Sequence, residues 1–151
     1  MGQKTKKFAP AIDKRLLIAL SGITWSTVGI FLCKRSILWL SQTAGIGDIM
    51  LGAAGIILSL LIHHLGFLKI VNRNIERILL MERKVCIFAF QAWKSYLIVA
   101  IMIAMGIILR RSQIPTNYIS VIYIGFGGAM ILSSIRYYRI FFKLIFNPSK
   151  F

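Results

Sequence analysis

Two basic pairs, Lys34-Arg35 and Arg110-Arg111, each close a stretch of sequence that carries no charge. Brought together, they would form a positive ring that draws an anion toward the mouth of a pathway, which is the chemistry of a vestibule. Ahead of the first pair, Ser21, Thr24 and Thr27 recur at a spacing of three and offer hydroxyl donors along an anion path. The structural alternative is plain. Lys and Arg at the end of a membrane span snorkel to the interface, and Ser and Thr within it bond their own backbone or glue helices.

Other chemistry is scarce. Asp13, Asp48, Glu76 and Glu82 are the four acids, and all lie outside or at the edges of the apolar runs. No carboxylate is therefore placed deep in an apolar run to bind a proton, Na⁺ or an organic cation, which disfavours the usual cation exchangers. His63 and His64 are adjacent, and neighbours diverge by ~100° around a helix, so they do not form a chelating pair. They read as interfacial, with a proton-sensitive gate as the functional alternative. Cys33 and Cys86 fall on opposite sides of the expected membrane, which argues against a disulfide framework and leaves two small packing residues. With no P-loop, dinucleotide-binding glycine pattern, zinc-ligand cluster or nucleophile–base set, no enzyme, cofactor or metal site is expected.

The elements that must position these groups follow from composition. The chain has 151 residues, 58% of them hydrophobic and only 15% charged, against about 25% charged in soluble proteins. With a mean hydropathy of +0.77, lipid is the expected solvent. The 19 Lys and Arg against 4 Asp and Glu give a net charge of +15, which in a polar chain would suggest nucleic acid. Here the basic residues punctuate apolar runs, so they read as topology signals and no nucleic-acid partner is expected.

Charge-free runs cover residues 16–33, 49–68, 95–109 and 112–135. A hydrocarbon core of ~30 Å needs ~20 helical residues, and the run 95–109 is only about 22 Å long, so Lys94 or the Arg110-Arg111 pair must snorkel. With interfacial residues included, the spans are expected at 16–35, 48–68, 93–111 and 116–136. Of the 19 basic residues, all but Lys34, Arg35, Arg110 and Arg111 then fall on one side, which places both termini in the cytoplasm. The first run is too long for a signal-peptide core of 7–15 residues and lacks a small-residue cleavage site, so it is expected to be retained. Lys6 removes the motif that would make Gly2 a myristoylation site.

The expected fold is all-α: a polytopic membrane protein of four transmembrane helices in a compact bundle, a single domain over 1–151. Residues 1–15 form a basic cytoplasmic segment, 69–87 a cytoplasmic amphipathic connector and 137–151 a cytoplasmic C-terminal segment. In the connector Ile70, Val71, Ile75, Ile78 and Leu79 recur near helical period among Lys69, Arg73, Asn74, Glu76 and Arg77. That pattern reads either as a continuation of the second helix or as a helix in the cytoplasmic headgroups, where its arginines favour anionic lipid. Trp39 on the outside, with Ile87, Phe88, Phe90 and Trp93, then Tyr137, Tyr138, Phe141 and Phe142 on the inside, reads as two aromatic belts.

Small residues recur at spacings of three and four: Gly22, Ser26 and Gly29 in the first span, Gly52, Gly55 and Ser59 in the second, Ala100 and Ala104 in the third, and Gly125, Ala129 and Ser133 in the fourth. Such faces let helices approach closely in lipid. Gly29-Ile30-Phe31-Leu32-Cys33-Lys34 resembles Gly106-Ile107-Ile108-Leu109-Arg110-Arg111, and Gly52 and Gly55 echo Gly125 and Gly128. A two-helix duplication would make the halves parallel repeats about an axis along the membrane normal, and chance matching of glycine-bearing apolar helices is the alternative. The leading functional expectation is a small anion channel or transporter. Its rival is a non-transporting scaffold or regulatory subunit, with a second copy or another membrane protein as partner.

Overall fold

The computed structural model describes residues 11–42, 45–81, 85–86 and 93–150. Apart from short connectors the described residues are helical, with one antiparallel pairing of β1, Ala11–Ile12, with β2, Val85–Cys86. Helix α1 is Lys14–Leu40 and α2 is Ile46–Ile62. A π turn, His63–Phe67, leads straight from α2 into α3, Leu68–Leu80. Helices α4, Trp93–Arg111, and α5, Thr116–Phe146, follow, and a 3₁₀ turn at Pro148–Lys150 ends the described chain. Among the described residues three rods are long and apolar enough to cross a membrane: Lys14–Leu40, Ile46–Leu80 and Thr116–Phe146.

The helix boundaries depart from the expected spans for a physical reason: charge marks where apolar character ends, and helical backbone continues until something breaks it. Thus α1 runs through Lys34 and Arg35 to Leu40. In the first turn of α2, Asp48 accepts a 2.8 Å hydrogen bond from the Gly45 N–H and puts a carboxylate at the positive end of the helix dipole. Asn117 Nδ2 also donates to Asp48 at 3.4 Å, tying the start of α2 to the start of α5. Between α4 and α5, Pro115 lacks an N–H and has φ −54°, which suits the residue that opens a helix. Nothing comparable interrupts α2 and α3, so the amphipathic segment is a continuation of the second helix. Its apolar stripe, Val71, Ile75 and Ile78, is buried in the protein core, while Arg73 and Glu76 are exposed. The aromatic stretch 87–92 lies outside the described residues.

Helix α5 is the central element. Helix α1 runs antiparallel to it, with Gly22 beside Tyr137, Gly29 beside Gly127 and Ser36 donating to the Ser120 carbonyl at 2.8 Å. Helix α2 runs parallel to it, with Gly55 beside Ile124 and Gly125 beside Leu58. Lipid supplies no hydrophobic drive between helices, so close backbone approach must. A Cβ on Gly29 would stand 2.7 Å from the Gly127 carbonyl oxygen, and one on Gly127 would stand 2.8 Å from the Gly29 oxygen. A Cβ on Gly128 would run into Ser59 Oγ, and Ala129 is fully buried. Not every small residue is used this way: Gly52 faces open space, and Ala100 and Ala104 are exposed.

The halves are not disposed symmetrically. A two-fold relation would match the extensive α1–α5 interface with an equivalent α4–α2 interface, yet among the described residues α4 makes only sparse contact with the other helices.

Candidate functional site

Continuation of α1 past its charged pair builds the site. Arg35 and Trp39 stand four residues apart, so they are neighbours on one helix face. The Arg35 guanidinium carbon lies 5.5 Å from the Trp39 ring centroid, and that of Arg110, from α4, lies 5.5 Å from the same centroid. Tyr123 of α5 packs against this indole, with ring centroids 5.2 Å apart and planes at 41°. Three helices therefore meet on one tryptophan. Its electron-rich faces attract both guanidiniums, each of which is exposed and keeps a fork of N–H donors suited to carboxylate or phosphate.

Next to this cluster, α1, α4 and α5 part around a cavity of about 280 Å³. Val28, Phe31 and Leu32 line it from α1, Met102, Ile103 and Ile107 from α4, and Ile122, Phe126 and Met130 from α5. Among the described residues Arg110 is its one charged lining residue, and Tyr123 lines it as well. The Tyr123 hydroxyl lies so near Gly106 that a Cβ there would come within 2.9 Å of it. An apolar slot with a cationic mouth binds an anion that carries an apolar body more readily than it binds a hydrated halide.

Of the four basic residues singled out by sequence, the structure brings Arg35 and Arg110 together, while Lys34 and Arg111 are exposed beside them. The hydroxyl stripe fares differently. Ser21 donates to the Leu17 carbonyl at 3.0 Å, Thr24 to Leu20 at 2.8 Å and Thr27 to Ile23 at 2.8 Å. Ser21 is buried, Thr24 half-buried and Thr27 exposed. A step of three residues turns ~300° around the helix, so this stripe winds out of the core instead of lining one path.

Toward the opposite end, the helices are joined by polar contacts that residue types alone did not reveal. Tyr138 OH bonds to Ser26 Oγ at 3.0 Å, Ser26 donates to Ser134 Oγ at 2.9 Å, and Ser134 donates to the Ile131 carbonyl at 2.6 Å. His63 Nδ1 and Ser133 Oγ share a 2.8 Å hydrogen bond, so this histidine joins α5 instead of sitting free at the interface. Asn74 donates to Tyr137 OH at 3.0 Å, and Arg77 donates to Asn74 Oδ1 at 3.2 Å. Tyr137, expected in an interfacial belt, is fully buried, and the Trp25 ring packs on it and edge-on to Phe67. The sequence signal was present, since Ser133, Ser134, Tyr137 and Tyr138 recur at helical spacing, but which polar face points inward depends on how α5 is rotated against its neighbours.

Among the described residues no group of three or more His, Cys, Asp or Glu side chains comes together. Fold and site define a helical membrane bundle with three helices able to cross the bilayer and a basic cluster at one end of an apolar cleft. No protein-family model, curated protein or solved structure matches the chain.

Proposed function

We propose that the protein is a four-span membrane protein with cytoplasmic termini that binds and passes an anion, as a small carrier or channel and not as an enzyme. In this reading α4 also crosses the membrane, as the third of four spans, with its basic ends snorkelling, and Lys34, Arg35, Arg110 and Arg111 face outward by the positive-inside bias. The basic connector and C-terminal segment hold anionic lipid at the cytoplasmic face. The observation that carries the proposal is the convergence of Arg35 and Arg110 on Trp39 at the cleft. Two exposed like charges held on one indole raise the local positive potential, and an anion at either guanidinium relieves their repulsion while gaining charge-assisted hydrogen bonds. The route runs beside α4, because the seam between α1 and α5 is closed by packed backbone and buried side chains.

The test is efflux from proteoliposomes, comparing halides, nitrate and small organic anions with K⁺, Na⁺ and protons. Anion-selective flux is expected, reduced at least about tenfold in the Arg35→Gln/Arg110→Gln variant with insertion intact. Flux at the level of protein-free vesicles, or flux indifferent to the double substitution, would sink the proposal. A second reading, a regulatory or scaffold subunit, is favoured by the uncovered small residues Gly52, Ala100 and Ala104. It calls for a stoichiometric partner in mild-detergent pull-down, one released by bulky substitutions at those positions.

A further inference from the structure

The cleft beside α4 is too apolar to be explained by anion attraction alone. Among the described residues Arg110 is the one charged group that lines it, and the rest is aliphatic, methionine, glycine and aromatic surface around about 280 Å³. That volume sits just below the ~300–1,000 Å³ of ordinary small-molecule sites. Protein interiors pack densely, and a void of this size bordering the bilayer is filled by whatever apolar chain lies next to it. What distinguishes this groove from a passive lipid crevice is charge. Arg110 lines the groove and shares the Trp39 indole with Arg35, and Tyr123 of the groove packs on the same ring, so three helices hold two guanidiniums near one end.

We propose that the cleft between α1, α4 and α5 is a binding site for one anionic phospholipid, with an acyl chain along Val28, Leu32, Met102 and Phe126 and its phosphate at the guanidinium of Arg110, where Arg35 on the same indole adds positive charge. Guanidinium forks pair with phosphate oxygens bidentately, and the low dielectric beside the bilayer strengthens that pairing. A zwitterionic headgroup brings an ammonium to the same two cations and is disfavoured. The sparse contact of α4 with the other helices leaves room for a chain that completes its packing. The site deepens the anion reading proposed above by making the recognised anion amphiphilic, and it rests on that assignment of the rim.

The experiment is native mass spectrometry of the whole chain in mild non-ionic detergent, titrated with phosphatidylglycerol and phosphatidylcholine of identical acyl chains. One phosphatidylglycerol retained per chain, with a preference of about tenfold over phosphatidylcholine, is expected. Arg35→Gln/Arg110→Gln erases the preference, and Val28→Phe, which fills the slot and leaves the rim, lowers retention. Should Val28→Phe fail to fold, Met102→Phe fills the same space from α4. Equal retention of both lipids, a preference that survives loss of both arginines, or full retention in the filled variants would each overturn the site. So would displacement of the lipid by equimolar inorganic phosphate, since the headgroup alone would then account for binding. Arg35- and Arg110-dependent flux without lipid retention removes this inference and keeps the transport reading; retention without flux does the reverse.

Discussion

The two sides of α5 are built on opposite principles. Against α1 and α2 it meets glycine, alanine and serine, with backbones in direct contact at Gly29 and Gly127 and polar side chains bonded across the gap. Against α4 it presents Ile122, Tyr123, Phe126 and Met130 across a cavity. Of the most apolar part of α5, 44% is buried, compared with 11% in the α2–α3 rod. Small residues alone do not make an interface, as Ala100 and Ala104 on α4 show; a second helix with a matching small face must meet them. The sealed side gives rigidity, and the open side leaves space for something other than protein.

The sharpest way to break this contrast is to place bulk on each side. Gly29→Leu drives a side chain into the Gly127 carbonyl and Ile131, and a loss of about 3 kcal/mol or more is expected in equilibrium unfolding from detergent. Ala104→Leu, on the exposed face of α4, should stay within about 0.5 kcal/mol. Equal losses would mean that α4 is packed as tightly as α1. A smaller effect is expected from Tyr137→Phe, which removes the acceptor of the Asn74 amide in a buried setting; about 1–3 kcal/mol should be lost. The same removal of a hydroxyl at Tyr118, which is exposed, should be neutral. Among the interhelical contacts the smallest effect belongs to His63 and Ser133. A double-mutant cycle with alanine should give a coupling of about 0.6 kcal/mol, the size typical of interhelical hydrogen bonds in lipid. A coupling of zero would detach the π turn from α5.

Much of this was legible from residue order. The apolar runs were marked by charge, although α1 continues past Lys34-Arg35 to Leu40, and the small faces around Gly22, Gly29, Gly55 and Gly125 were marked by their spacing. The likeness of Gly29-Ile30 to Gly106-Ile107 was legible too, but it carried no symmetry into the fold. Two residues four apart on a helix, Arg35 and Trp39, also carried a local signal that could have been read. What could not be read was Arg110 arriving on the same indole from α4, because sequence spacing relates residues on one helix and says nothing of how separate helices are rotated.

By itself, then, the sequence determined that the chain is helical, that its helices belong in lipid, and where their charged ends lie. Solvation dictates all three, and it acts on each segment separately. Only the tertiary structure decided that α5 is the centre, that Tyr137 and Asn74 are buried partners, that the hydroxyls of Thr24 and Thr27 are spent on their own helix, and that a cleft opens beside α4. Those outcomes depend on the rotation and approach of one helix against another, which close contacts such as Gly29 with Gly127 select from many arrangements that solvation leaves equal.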